Sequence, residues 1–167
     1  MDKNFFNRNA EVVAQELLGK IILVNNKKAK IVETEAYFDE RDPASRACQN
    51  GDLRETMLMQ GGTILVYGVH NNWLVNFVTG LEGDAQAVLI RAAEPLNFSE
   101  KCSGPGLLTK KLGIDKEFHK TKIEDKISIM EGDKNFEIVS SFRIGVRKDL
   151  DRPLRFYIKG NRCVSRS

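Results

Sequence analysis

The sequence predicts an α+β fold. A single domain over residues 1–167 is expected, with a curved antiparallel or mixed sheet flanked by a few short helices. Three observations predict it. Short runs rich in β-branched and aromatic residues, such as "GTILVY" and "WLVNFV", recur between clusters of turn-forming residues. Two segments carry helix start and stop signals. No repeat, low-complexity tract or linker divides the chain, and 41% hydrophobic with 29% charged residues is the balance of a globular domain rather than a disordered one.

Taken in order, "NAEVVAQELLGK" predicts a helix. Asn9 can cap it, Val13 and Leu17 share a face, and Gly19 can stop it. "KIILV" and "KAKIVETEAY" predict strands joined at "NNK". "FDERDPAS" is polar and contains proline, which predicts a loop. "GTILVY" and "WLVNFV" predict strands around the connection "GVHNN". After the turn "GLEGD", "AQAVLIRAAEP" predicts a strand that Pro95 ends. "SGPGLLTKKLG" predicts a helix with Ser103 as cap, Pro105 in the first turn and Gly113 at the end. "ISIM", "FEIV", "FRIGV" and "LRFYIKG" predict short strands between charged turns.

Composition excludes several classes. Apolar runs such as "IILV" are far too short to span a membrane, and "MDKNFFNRNAEVV" lacks the apolar stretch of a secretory signal. Three widely spaced cysteines, Cys48, Cys102 and Cys163, argue against a disulfide framework and fit a reducing cytoplasm. With two histidines and no C-x-x-C or H-x-x-x-H pattern, no metal site is expected. The net charge of +3 is unevenly placed: residues 1–100 carry 10 Lys/Arg against 14 Asp/Glu, and residues 101–167 carry 16 against 9. A basic C-terminal part suits a phosphate-bearing partner as well as a merely soluble surface.

Three segments place polar groups on strands that otherwise read as buried. In "IVETEAY", strand alternation puts Ile31, Glu33, Glu35 and Tyr37 on one side. In "AVLIRAAEP", Arg91 interrupts an apolar run. A buried arginine needs a carboxylate, so a pair with Glu33 or Glu35 is expected. In "WLVNFV", Asn76 is the polar exception. Such a network could serve the fold alone. With Tyr37 and Tyr67 nearby, it could also form a slot for a flat, polar ring such as a nucleobase.

"IVETEAY", "ETMLMQGGTILVY", "AVLIRAAEP", "CSGPGLL" and "RPLRFYIKG" occur in the order and character of the 3-methyladenine (alkyladenine) DNA glycosylase family. The resemblance runs from about Phe5 to Ser165. It implies a monofunctional hydrolase of base excision repair, acting without a cofactor on double-stranded DNA that contains damaged purines. Such an enzyme flips an alkylated or deaminated purine out of the duplex, cuts its N-glycosidic bond and leaves an abasic site. By the same resemblance, Glu35 is the general base that activates water, and Arg91 lies near that water and keeps Glu35 ionised. Tyr37 and Tyr67 bracket the flipped base, and Asn76 crowds the amino group of guanine. A β-hairpin inserts into DNA. The protein is expected to be a cytoplasmic monomer, associated with the nucleoid if the cell is prokaryotic.

The chain departs from the family pattern in three places. Arg46 in "DPASRA" stands where many members carry a histidine near the flipped base. His70 in "YGVHNNW" stands where members usually carry the tyrosine that fills the gap left in the duplex, on a hairpin about one residue shorter. Asn71 or Asn72 could take that role instead. The stretch from Leu96 to Cys102 is shorter than in vertebrate members. Arg54, Lys101, Lys110 and Lys111, near the matched motifs, are the expected phosphate contacts, beside the hairpin residues His70 and Asn71. Two other classes compete: a damage- or nucleic-acid-binding protein of the same fold with weak or no catalysis, and a hydrolase of free nucleosides. A lyase is disfavoured because no lysine lies in the segments near Glu35 or Arg91.

Overall fold

The computed structural model describes residues 1–2 and 4–166. The strands are β1 (Ile21–Val24), β2 (Lys27–Tyr37), β3 (Ile64–Val69), β4 (Asn72–Thr79), β5 (Gln86–Pro95), β6 (Cys102–Ser103), β7 (Ser128–Met130), β8 (Ile138–Ser141) and β9 (Arg155–Ile158). The helices are α1 (Ala10–Leu17), α2 (Asp52–Met57) and α3 (Pro105–Leu112). The strands form one sheet in the order β3-β4-β5-β2-β1-β7, and β6, β8 and β9 attach beside it. Every pair is antiparallel, which resolves the choice between antiparallel and mixed. Among the described residues, no helix is long and apolar enough to cross a membrane.

β2 organises the sheet. Along one edge it pairs with β5 over most of its length. Along the other it pairs first with β1, through Lys27–Lys30, and then with β9, through Glu33–Glu35. The two acids therefore lie where strands flank β2 on both sides, and this is why they are fully buried. α1 covers the opposite side of β2. Its buried stripe Ala10, Val13, Ala14 and Leu17 follows helical spacing, and Thr34 Oγ1 donates to the Ala14 carbonyl at 2.8 Å. Burying Val13 and Leu17 stabilises this contact by about 1.5–3 kcal/mol each. Asn9 caps α1 by accepting from the Glu11 N–H at 2.9 Å, as expected.

The β2–β5 register is irregular. Ile31 faces Ala93 and Glu33 faces Ala92, so Val32 is extra on β2. Thr34 then faces Ile90, so Arg91 is extra on β5. Bulges bend a strand and re-aim a side chain, and here they interrupt the alternation expected to group Ile31 with the acids. Ile31 packs in the main hydrophobic cluster instead.

Several predicted boundaries are corrected. The β1–β2 turn is only Asn25–Asn26, and the β3–β4 turn is only His70–Asn71. All four residues have positive φ, as a two-residue hairpin turn that matches strand twist requires. Gly68, Val69 and Asn72, expected in the connection, are strand residues. Ser103 does not cap α3. It pairs with Ala92 as part of β6, and Gly104 at φ 149° takes the cap position. "FEIV" is displaced, with β8 two residues later, and "FRIGV" forms a loop rather than a strand. α2 had no sequence prediction. α3 ends at Gly113 in the left-handed region as expected, and it crosses close to the β3–β4 hairpin. A Cβ on Gly106 would lie 2.8 Å from the Asn72 side chain, so only glycine permits this approach. Thr109 Oγ1 fixes the crossing by donating to the Trp73 carbonyl at 2.6 Å.

Candidate active site

A cavity of about 800 Å³ opens between the hairpin, the start of α3 and the loop that follows β8. Tyr37, Tyr67, Leu89 and Arg91 line its strand side, and Arg46 and His70 its rim. Its size suits a purine nucleotide with room to spare.

Below this floor lie the two acids, and their surroundings differ. Glu33 is saturated. Its Oε1 takes Arg91 Nε at 3.3 Å, Arg155 Nη1 at 3.0 Å and Ser165 Oγ at 2.9 Å, while Oε2 takes the Ser165 N–H at 2.7 Å. Glu35 has fewer ties. Oε2 accepts from the Tyr37 hydroxyl at 2.7 Å, and Oε1 accepts from the Ile144 N–H at 2.8 Å with Arg91 Nη1 at 3.6 Å. Arg91 therefore pairs with both acids, and both sequence alternatives hold. Tyr37, Leu89, Arg91 and Ile144, the neighbours that enclose Glu35, all face the cavity.

Burial pushes the Glu35 carboxyl above the usual carboxylate range. Arg91, the Ile144 N–H and the Tyr37 hydroxyl pull it down without cancelling that effect, and Glu33 adds to it. Arg91 thus lowers the Glu35 carboxyl, as a nearby cation should, but desolvation outweighs it. A raised value brings a carboxylate closer to the pKa of an effective general base at neutral pH. Burial and the adjacent Glu35 charge also push the Tyr37 phenol well above its ordinary value, so it remains a neutral donor.

The loop after β8 completes the site. Arg143 is buried and donates to both oxygens of Asp42 at 2.7 and 2.8 Å, to the Ala36 carbonyl at 3.0 Å and from Nε to Asp149 at 2.9 Å. Its guanidinium carbon lies 4.5 Å from the centre of the Tyr37 ring. One side chain thus clasps the loop to β2, seats Tyr37 and brings the Ile144 N–H onto Glu35. Arg143, Ile144, Arg155 and Ser165 were not among the predicted site residues. Arg143 does carry the signal that singled out Arg91, a guanidinium in an apolar run.

The remaining predicted residues divide by position. Arg46 follows the Ser45 cap of a short 3₁₀ turn, and its guanidinium carbon stands 4.7 Å from the Tyr67 ring centre. His70 is exposed at the hairpin tip with Asn71 beside it, although Asn71 does not line the cavity. Asn76 is buried beneath the floor, opposite the lining residue Leu89, and its amide donates to the Leu65 carbonyl at 3.4 Å. Arg54 lies on α2 near Asn50 and Glu40. Lys101 is exposed before β6, Lys110 is exposed on α3 and Lys111 beside it is half-buried. These four cations lie off the cavity, whereas Arg147 and Lys148, which were not predicted, line it. Among the described residues, no group of three or more His, Cys, Asp or Glu side chains is placed to hold a metal ion.

The family model described as "Methylpurine-DNA glycosylase (MPG)" matches residues 4–162. A protein of Aeropyrum pernix is 39% identical over 100% of this chain and 93% of its own length. One of Clostridium beijerinckii is 35% identical over 99% and 98%, and one of Borreliella afzelii is 37% identical over 99% and 100%. Each of the three bears the name "Putative 3-methyladenine DNA glycosylase".

Proposed function

The chain belongs to the methylpurine-DNA glycosylase family and is thus a hydrolase of DNA glycosylase type; on that footing we propose that it receives a damaged purine flipped from duplex DNA and hydrolyses its N-glycosidic bond with water activated by Glu35. The observation that carries this reading is the contrast between the acids. Glu33 is saturated by structural partners, whereas Glu35 is buried, raised in pKa and enclosed by the residues of the cavity floor. In the reaction the C1′–N9 bond breaks and its electron pair leaves with the base. The water oxygen bonds to C1′, and its proton passes to Glu35. The carboxylate also stabilises positive charge developing on the sugar. Arg91 orients the acid, and Tyr37 and Tyr67 offer ring faces for stacking.

Recognition of the duplex falls to the rim. His70 at the hairpin tip fills the gap in the base stack, with Asn71 beside it. Arg147 and Lys148, exposed at the cavity, meet phosphates, and Arg54, Lys101, Lys110 and Lys111 extend that basic surface. The protein works as a monomer where DNA lies in a reducing compartment, in keeping with its three free thiols.

The test is a strand-nicking assay. Duplexes carrying 3-methyladenine, 7-methylguanine, hypoxanthine or 1,N6-ethenoadenine are incubated with protein and heated in alkali. Nicking of at least one duplex, unchanged by EDTA, is expected. No nicking of any duplex, or nicking abolished by EDTA, contradicts the proposal.

A further inference from the structure

Among the described cations that line the cavity, Arg46 is the one that lies on an aromatic face. Its guanidinium lies 4.7 Å from the centre of the Tyr67 ring, and this is a face that a flipped base would use. Its backbone is fixed from behind: Ser45 is buried and its Oγ caps the Ala47 N–H at 3.1 Å, while the Ser45 N–H donates to the Asp42 carbonyl at 3.0 Å. The side chain beyond that anchor is exposed and has no carboxylate partner among the described residues, so its donors are unspent. Arg91, Arg147 and Lys148 line the same cavity, and among the described residues no carboxylate does.

Three consequences follow. A purine stacked on Tyr67 displaces the guanidinium toward the edge of the base. There a planar fork of N–H donors matches two adjacent acceptors, which a 6-oxopurine presents at O6 and N7. An adenine-type base offers a donor at N6 instead, and an N7-alkylated base has no acceptor at N7. A base already carrying positive charge also enters beside a fixed cation, which repels it. The leaving groups differ in the same sense. When the C1′–N9 bond breaks, the electron pair converts a neutral purine into an anion, whose charge spreads to N7 and O6. A cationic base departs neutral. A guanidinium at that edge therefore stabilises the transition state only for the neutral base.

We infer that Arg46 is a specificity-determining residue that turns this site toward neutral 6-oxopurines, the class that deamination of adenine produces, and away from cationic N-alkylpurines. Guanine shares the O6 and N7 edge, so its exclusion rests on the 2-amino group that distinguishes it from hypoxanthine. The inference rests on the proposed glycosylase function, because it concerns which base that chemistry accepts.

The experiment measures single-turnover excision of hypoxanthine and of 7-methylguanine from otherwise identical duplexes, by the wild type and by Arg46→His and Arg46→Lys. The readout is the change in the ratio of the two rates between wild type and variant, in which the intrinsic ease with which cationic bases leave cancels. Replacing a bidentate contact worth about 1–3 kcal/mol of discrimination should lower the hypoxanthine-to-7-methylguanine ratio about ten-fold or more in Arg46→His. Arg46→Lys keeps the charge and loses the planar fork, so its ratio should fall between the two. Because the Arg46 side chain is exposed, both variants should melt with the wild type; if one does not, the other carries the test. A ratio unchanged by either folded variant overturns the assignment and leaves the glycosylase function standing. Excision of neither base by the wild type overturns the assignment, and it overturns the glycosylase function as well only if the 3-methyladenine and 1,N6-ethenoadenine duplexes are also left intact.

Discussion

The floor and the rim of the cavity are built on opposite plans. On and beneath the floor, Glu33, Glu35, Arg91, Arg143 and Arg155 are buried charges, and each is held by several partners drawn from β2, β5, β9, the loop after β8 and the C-terminal segment. On the rim, Arg46, His70, Arg147 and Lys148 are exposed. Buried charges are stable only in a fixed, mutually satisfying arrangement. Exposed ones bear little on stability and are free to change. The buried network around Glu35, to which hydrolysis is assigned in the proposed function, is therefore locked into the fold, while the residues proposed for recognition can vary without unfolding it. Arg46 and His70, the two positions at which the sequence was expected to depart from the family pattern, both lie on the rim.

The sharpest way to break this contrast is within the floor itself. Glu35→Gln preserves shape but cannot take a proton from water, and should slow excision by about 10²–10⁴-fold while leaving affinity for damaged duplex nearly unchanged. Glu33→Gln should show the reverse balance: a smaller loss of excision, but a larger fall in melting temperature, because Arg91 and Arg155 both lose their anionic partner. Single-turnover rates and thermal melts of both variants check this. If Glu33→Gln proves the more damaging to excision, the acids have been assigned the wrong way round.

A second break concerns the clasp. Arg143→Met leaves Asp42 buried and unpaired, and should cost about 3–5 kcal/mol in denaturant unfolding. Burial raises the Asp42 carboxyl, but its bonds from Arg143 and from the Phe38 and Ala44 N–H groups outweigh this and hold it below its ordinary value. A lowered carboxylate stabilises the folded state fully above the unfolded value of about 3.9, and that contribution is lost as pH falls through the lower folded value. The penalty for Arg143→Met should accordingly shrink in strongly acidic buffer. A constant penalty down to that range would mean that Asp42 is not the partner that matters.

The smallest expected effect lies at the hairpin tip. His70→Ala should reduce excision from a fully paired duplex by several-fold more than from a mismatched one, where unstacking already costs less. His70→Tyr should restore the paired rate, since its ring covers more of the neighbouring bases. Equal losses on both duplexes would move the wedge to Asn71 or Asn72.

How far the sequence carries this picture depends on physical type. Strands with period-two patterning were legible, and so were the acids and Arg91, because a charge inside an apolar strand demands a partner. The loop that carries Arg143 and Ile144 was not, because "FRIGV" has strand composition and its true constraint is a clasp to Asp42, 101 residues away in sequence. α2 was missed because six residues, "DLRETM", are too few to display a helical period. The bulges at Val32 and Arg91 depend on three neighbouring strands at once, and no local pattern announces them.

The most direct test of the central claim, that a buried Glu35 is the general base, is the pH dependence of single-turnover excision. Glu35 must be deprotonated to act, and its pKa lies above the ordinary carboxylate value of about 4.3. Activity should therefore fall as pH drops through a midpoint above that value, and the residual activity of Glu35→Gln should show no such limb. An acid limb at or below about 4.3, or one that persists unchanged in Glu35→Gln, would contradict the account.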